Sequence, residues 1–378
     1  VNTEHNERNE PNEKRESDMK LRRSPTLEIG ERIKAAKNQN KILWSLSTPN
    51  LPSYDDVLQT DPSWGRLTPP AGMPELIEHT KTALFNNWDQ SKHEVIIAAG
   101  AKAALFAILK TITIPGDKVV LPSPTWPSYF DICSIADCKP IEMPTLFSNK
   151  FEMELDIIQQ LYQQNRFKVI IFSNPNNPSG VIYDSLFLTG LIELAEKSGF
   201  YIIVDQSFSR IIFDEDKWSA SHCRNSEKLF VVDSFSKNFL LQGARVSATL
   251  VPEAYAQNFT NIHQTLLSSA PAPAQIMALN AVQNNLVIPS LSKQKDVTRK
   301  FITAQKWSFV EQSGSFYYFP KTDNFSVLEE KAELRDVLLL GGRIFGSNYK
   351  EHFRLCFARP LSELEIIFNK LDEALNGK

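Results

Sequence analysis

Cysteine and histidine are scarce in this chain, with four cysteines (Cys133, Cys138, Cys223 and Cys356) and six histidines in 378 residues. The cysteines show neither metal-ligand spacing nor a disulfide pattern, and no His-x-x-x-His pair occurs. No structural or catalytic metal is therefore expected, and the thiols suit a reducing cytosol. An excess of one charge is also missing: a net charge of −3 makes no electrostatic case for nucleic acid or an anionic membrane as partner. There is no apolar run of ~18 or more residues and no basic-then-apolar leader, so neither membrane spanning nor secretion is indicated and the cytoplasm is the expected location. Residues 1–18 carry no apolar side chain except Val1 and four asparagines, which predicts a disordered extension. The cluster Lys20-Leu21-Arg22-Arg23 reads as solvated charge, and no internal repeat is found.

What is present is a hydrophobic content of 42%, enough for a large core and for one large and one small domain. Short apolar strands alternate with helical patterns, the strands at Val95–Ala99, Lys118–Leu121, Val169–Ser173, Tyr201–Asp205, Leu229–Asp233 and Val246–Leu250. Ala101–Thr111 and Ser185–Lys197 have helical periodicity. Such alternation predicts an α/β fold with a mostly parallel sheet covered on both faces, and ligands then gather at the carboxyl ends of the strands. The expected division is a large domain over 61–274, and a smaller α+β domain built from 275–378 with part of an N-terminal arm over 19–60. A strand pair, Ser315–Phe319 and His352–Phe357, and a helix, Leu361–Leu375, belong to the smaller domain.

Chemistry centres on Lys237 in Asp-Ser-Phe-Ser-Lys-Asn-Phe-Leu-Leu-Gln-Gly-Ala-Arg (233–245). An amine can form a Schiff base, and Ser234, Ser236 and Arg245 can hold a phosphate dianion, so the run suits an aldehyde cofactor carrying a phosphate. Taken alone, a lysine is more often a solvated surface group. Upstream, Ser-Asn-Pro-Asn-Asn-Pro-Ser-Gly (173–180) follows one strand, and Asp205 ends the next. Asn174–Gly180, Asp205, Ser234–Lys237 and Gly243–Arg245, in that order, resemble the signature of the class I/II aminotransferases, enzymes of fold type I that use pyridoxal 5'-phosphate. The resemblance runs from about Met19 to the C-terminus and implies a seven-stranded, mostly parallel sheet in the large domain.

The resemblance implies that Lys237 is both cofactor anchor and base, and that Asp205 keeps the pyridine nitrogen protonated. Gly100-Ala101-Lys102, opening a helix, would offer N–H groups to the phosphate, completed by Ser234, Ser236 and Arg245. Trp126 would stack on the cofactor ring; a core tryptophan is the competing reading. Asn177 would bond the phenolic oxygen and face the substrate. Arg354 would grip the substrate α-carboxylate, unless it is an ordinary surface ion-pair partner. A small-molecule L-α-amino acid substrate and a homodimer follow from the same likeness.

Several positions depart from the pattern. Asp205-Gln206-Ser207-Phe208 has phenylalanine where the family carries tyrosine, Leu67 replaces a tyrosine that reaches the partner's phosphate, and Leu46-Ser47-Thr48-Pro49-Asn50 lacks its glycine. The loop Arg343–Glu351 is short. Together these changes alter the substrate side of the pocket more than the cofactor side, and they motivate an expected divergence through external aldimine and quinonoid intermediates to β-deprotonation, γ-elimination and cyclisation. Cyclodehydration of a hydroxylated arginine to an enduracididine-type amino acid is the form considered. Ordinary aminotransfer to a 2-oxo acid is the alternative, and a non-catalytic sensor a third.

Overall fold

The computed structural model describes residues 25–47, 49, 67–86, 88–219 and 225–376. The predicted disordered stretch 1–18, the basic cluster at 20–23, Thr48, Asn50 and Cys223 lie outside the described residues. Twelve strands occur among those described: β1 (Trp44–Ser45), β2 (His93–Ala98), β3 (Lys118–Ser123), β4 (Lys139–Pro144), β5 (Val169–Ser173), β6 (Tyr201–Asp205), β7 (Leu229–Ser234), β8 (Ser247–Pro252), β9 (Tyr317–Tyr318), β10 (Val337–Leu338), β11 (Leu340–Gly341) and β12 (Phe353–Cys356).

Seven of them form one sheet in the order β2-β8-β7-β6-β5-β3-β4, in which only β8 runs against its neighbours. This is the mostly parallel α/β sheet expected. Every residue of β5, β6 and β7 is buried. Strands covered on both faces need such unbroken apolar runs, whereas a half-solvated sheet would alternate. On one face, Phe172, Val204 and Val231 pack with Leu188, Leu191 and Ile192 of the helix Ser185–Ser198. On the other, Ile171, Ile203 and Val232 pack beneath the helices Ala101–Ile112 and Glu253–Leu267. The first of these helices starts and stops where its sequence says: the Asp184 side chain accepts from Phe187 N–H, and Gly199 takes a left-handed φ of 92°.

Boundaries moved slightly. β3 runs on to Ser123 and β7 to Ser234, β2 covers His93–Ala98, and β8 covers Ser247–Pro252. β4 was not expected, because Pro140 and Pro144 argue against a strand. It lies at the sheet edge, where a strand tolerates a missing N–H.

A second, smaller core gathers Phe316, Tyr318, Phe353 and Leu355 with Leu364, Ile367, Phe368 and Leu371 of the helix Leu361–Asn376. Its sheet has the order β11-β12-β9, antiparallel throughout, and the expected strand pair forms in shorter version through Leu355↔Tyr318 and Cys356↔Tyr317. In the large sheet, register places Ser173 beside Asp205 and Asp205 beside Val232, so the carboxyl ends of β5, β6 and β7 open together into one crevice.

Candidate active site

A cavity of about 540 Å³ lies at those strand ends, and Ala101, Lys102, Trp126, Asn177, Asp205, Ser234, Ser236, Lys237, Arg245 and Arg354 all line it. Of the site residues expected from sequence only Gly100 is outside the lining, and it sits directly behind it, in contact range of Arg245.

Asp205 forms the floor. Its Oδ1 accepts from Ser207 N–H at 3.0 Å and from Ser207 Oγ at 2.5 Å, and its Oδ2 accepts from Tyr129 Oη at 2.7 Å. Burial pushes the Asp205 carboxyl above its ordinary value, with the bonds from Ser207 and Tyr129 opposing. No cation among the described residues pairs with it. Tyr129 and Ser207 were not singled out from the sequence. The signal for Tyr129 was its place three residues after Trp126, at the start of the helix Ser128–Ile135; the two rings meet edge to face at 5.3 Å. Trp126 is itself half-buried at the cavity wall, with Lys102 Nζ 5.1 Å above its ring, so it is not a core tryptophan.

The lysine end is built by the turn after β7. The Ser234 hydroxyl oxygen accepts from Ser236 N–H at 3.2 Å, capping the short helix Phe235–Asn238 that presents Lys237. Burial pushes the Lys237 amine down to about 8, with the Arg354 and Arg245 charges acting in the same direction and Cys356 opposing. Its Nζ donates to Gln242 Oε1 at 2.5 Å. Arg245 donates to the Gln242 carbonyl at 2.9 Å, and its guanidinium lies across Gly100. Gly100 adopts φ +89°, and a Cβ there would sit 2.5 Å from Arg245 Nη2. Glycine thus serves two needs at once, the left-handed backbone and the close approach of the cation. Behind this turn the Ala99 N–H donates to His263 Nε2 at 3.0 Å, which anchors the strand end leading into the Gly100–Lys102 segment.

The opposite end is assembled from distant segments. Arg354, buried on β12, donates through Nη1 to Asn177 Oδ1 at 3.1 Å and through Nη2 to the Ser47 carbonyl at 2.6 Å. Its guanidinium lies 4.2 Å from the Tyr317 ring, and its Nε is buried with no partner among the described residues. It is not a surface ion-pair residue. Phe208 lines the same wall and packs against Phe316 and Tyr317 at 5.2 and 5.8 Å. Of the shortened N-terminal element, Ser47 and Pro49 line the cavity, while Leu67 is 84% exposed and away from it.

The charges around the cavity do not balance one another. Among the described residues, Asp205 is a buried carboxyl without a cationic partner, while the hydrogen-bond partners of Lys237, Arg245 and Arg354 are amide or carbonyl oxygens and not carboxylates. A group with one cationic nitrogen, a phosphate and an aldehyde complements three of these points, and a carboxylate complements the fourth. The residues present therefore fit pyridoxal 5'-phosphate and an α-amino acid. Among the described residues no cluster of metal-ligating side chains occurs, and no helix is long and apolar enough to cross a membrane.

Comparison with known proteins agrees. The chain is 28% identical over 94% of its length to an aspartate aminotransferase of Thermotoga maritima, covering 97% of that protein. It is 24% identical over 95% of its length to an aspartate aminotransferase of Pyrococcus horikoshii, covering 96% of that one. Among solved structures, the Thermotoga maritima aspartate aminotransferase superposes with a TM-score of 0.83 at 26% identity, covering 94% of this chain and 98% of that one. The Thermus thermophilus aspartate aminotransferase with maleate gives 0.84 at 21% identity over 94% and 97%, a likeness of fold. Residues 32–371 match the sequence profile of the family described as aminotransferase class I and II, whose members use pyridoxal 5'-phosphate. With that match spanning most of its length, and with a cavity whose unbalanced charges such a cofactor complements, this chain belongs to the class I and II aminotransferases, as a pyridoxal-phosphate-dependent enzyme.

Proposed function

We propose that this enzyme moves the amino group of an acidic L-α-amino acid, aspartate first among candidates, to a 2-oxo acid. The observation that carries the reading is the Arg354 guanidinium, buried, held by Ser47 and Asn177 and unmatched by any carboxylate among the described residues. Such a fork suits an α-carboxylate bidentately. Two aspartate aminotransferases among the relatives, and Lys102 as a further cation lining the cavity, support an acidic side chain.

Pyridoxal 5'-phosphate, when bound, supplies an aldehyde for amine exchange and a ring that accepts electrons. The chain's own groups do the rest. Lys237 Nζ anchors, then takes the proton from the substrate α-carbon and returns it. Its amine, held near 8, is free base in about a tenth of the molecules at pH 7 and in half of them near pH 8. Asp205, steadied by Tyr129 and Ser207, would hold a proton on the pyridine nitrogen, and the positive charge there would offset the cost of burying that carboxylate. Arg245, the hydroxyls of Ser234 and Ser236 and the N–H groups of Gly100–Lys102 would hold the phosphate. Trp126 would cover the ring, and the Asn177 carboxamide would donate to its phenolic oxygen.

Phe208 provides no phenol donor, and together with Leu67 and the altered loops it motivates the divergence to ring closure of a hydroxylated arginine expected from the sequence. The relatives reported above are named aminotransferases and give that branch no support. Incubation with L-aspartate and 2-oxoglutarate is the deciding experiment. Glutamate and oxaloacetate are expected; a cyclic product from hydroxyarginine with no glutamate from any amino donor would overturn aminotransfer. The division into 61–274 and 275–378 with an arm from 19–60, and a homodimer with the apolar Leu67, Leu266 and Leu267 covered, complete the proposal; these side chains are 84%, 53% and 46% exposed. Light scattering on the purified chain tests the dimer.

A further inference from the structure

The lysine that forms the anchor has an unusual neighbour. Lys237 faces cations, the Arg354 and Arg245 guanidiniums, together with the Cys356 thiol, and no carboxylate among the described residues pairs with it. Among the described residues its nitrogen has one hydrogen-bond partner, the Gln242 carboxamide oxygen. That side chain is aimed by its own loop. Leu240 takes a left-handed φ of 56°, Leu241 N–H donates to the Phe235 carbonyl at 3.2 Å, and the Gln242 carbonyl is fixed by Arg245. The turn therefore folds back over the lysine five residues earlier.

We propose that Gln242 is a positioning residue whose carboxamide oxygen holds the ε-amine of Lys237 inside the cavity whenever that amine is free. The chemistry of an amide suits this task. A base that takes and returns a proton alternates between –NH₂ and –NH₃⁺, and both forms donate to a neutral oxygen. A carboxylate at the same place would favour the ammonium and withhold its proton; an alkyl group would leave the amine unaimed. Gln242 thus keeps Lys237 in one place through both halves of a proton transfer, and it must yield when the amine bonds to the cofactor aldehyde.

The proposal rests on Lys237 being the active lysine, so two readouts are kept apart. In the full-length chain stripped of cofactor, the rate at which an amine-selective acylating reagent labels Lys237 is followed against pH by peptide mass spectrometry, with Lys102 as the internal reference. Gln242→Leu is expected to lower the midpoint for Lys237 by about half a unit to one unit, and Gln242→Glu to raise it by about one unit. Gln242→Asn, too short to reach, should follow leucine. A merely structural role would not move the two variants in opposite directions. Coincident titrations for the parent chain and all three variants overturn the proposal. Separately, borohydride reduction of the parent chain with pyridoxal 5'-phosphate should fix the adduct on Lys237; an adduct elsewhere overturns the assignment of the active lysine and leaves the labelling result to judge Gln242 by itself.

Discussion

The two ends of the cavity are built in different ways. At the cofactor end, the groups come from the carboxyl ends of neighbouring strands and from the turns that follow directly, so Asp205, Ser234, Lys237 and Gly100 are placed by local backbone geometry and strand register. At the carboxylate end, Arg354 meets Asn177 and Ser47 across 177 and 307 residues of chain. The cofactor end can be altered only by breaking the sheet or its turns, whereas the carboxylate end depends on how the smaller core rests against the large one. Of the departures from the family pattern, Phe208 and the segment around Ser47 line the second end, where packing partners can be exchanged without disturbing the sheet, and Leu67 lies outside the cavity.

The largest expected effect tests the cofactor end. Lys237→Ala should abolish the borohydride-stable adduct and cut kcat by a factor on the order of 10³ or more, since proton transfer by a placed base accounts for about that much. A variant retaining a tenth of the rate would show that Lys237 is not the base. At the other end, Arg354→Lys keeps the charge but loses the fork. We expect kcat/KM for amino acids to fall by about 10²-fold, mostly through KM, with the affinity for cofactor unchanged. Loss of cofactor in that variant would mean the two ends are not separable.

Tyr129→Phe sharpens the comparison within the floor. The Tyr129 bond favours the ionised form of Asp205, so its removal raises that carboxyl further, and the acid limb of the kcat/KM profile should move to higher pH by about one unit. An unmoved limb would detach Asp205 from catalysis.

The smallest effect concerns Asp233, which with Asp205 makes up the buried carboxylates among the described residues. Its oxygens accept from Ser209 Oγ and Asn238 Nδ2, both at 2.6 Å. Burial pushes it up to about 7 from an ordinary 3.8. A carboxyl raised in the folded state contributes stability that is full below its unfolded value and is lost as pH rises through the folded one, here across roughly pH 4 to 7. Asp233→Asn cannot ionise. Its stability relative to the parent, read by thermal denaturation, should therefore improve between pH 4 and 8, by no more than the roughly 4 kcal/mol that a shift of about three units allows; a constant difference over that range contradicts the assignment.

This contrast also explains what could be read in the chain before its structure was known. The cofactor groups were legible because each lies in a short motif beside a continuous apolar strand, and the register of the sheet then brings the motifs together. Tyr129 escaped notice because its meaning lies in contact with a carboxylate 76 residues away. The same holds for the Ser47 carbonyl, which carries no side-chain signal at all. Trp126 and Arg354 have two readings each from sequence; the structure places both side chains at the cavity wall, Trp126 half-buried and Arg354 buried. β4 was missed for a different reason: two prolines suppress a strand in any propensity argument, and only position at an edge makes them harmless.

Those prolines have a further consequence. Lys139 N–H turns inward to the Asp117 carbonyl, so by alternation the amide positions of Pro140, Glu142 and Pro144 turn outward. Of three outward places only Glu142 keeps a hydrogen to donate. This border offers a foreign strand its carbonyls but one N–H in three places, which weakens pairing there and guards the main sheet from growing into ribbons along this flank.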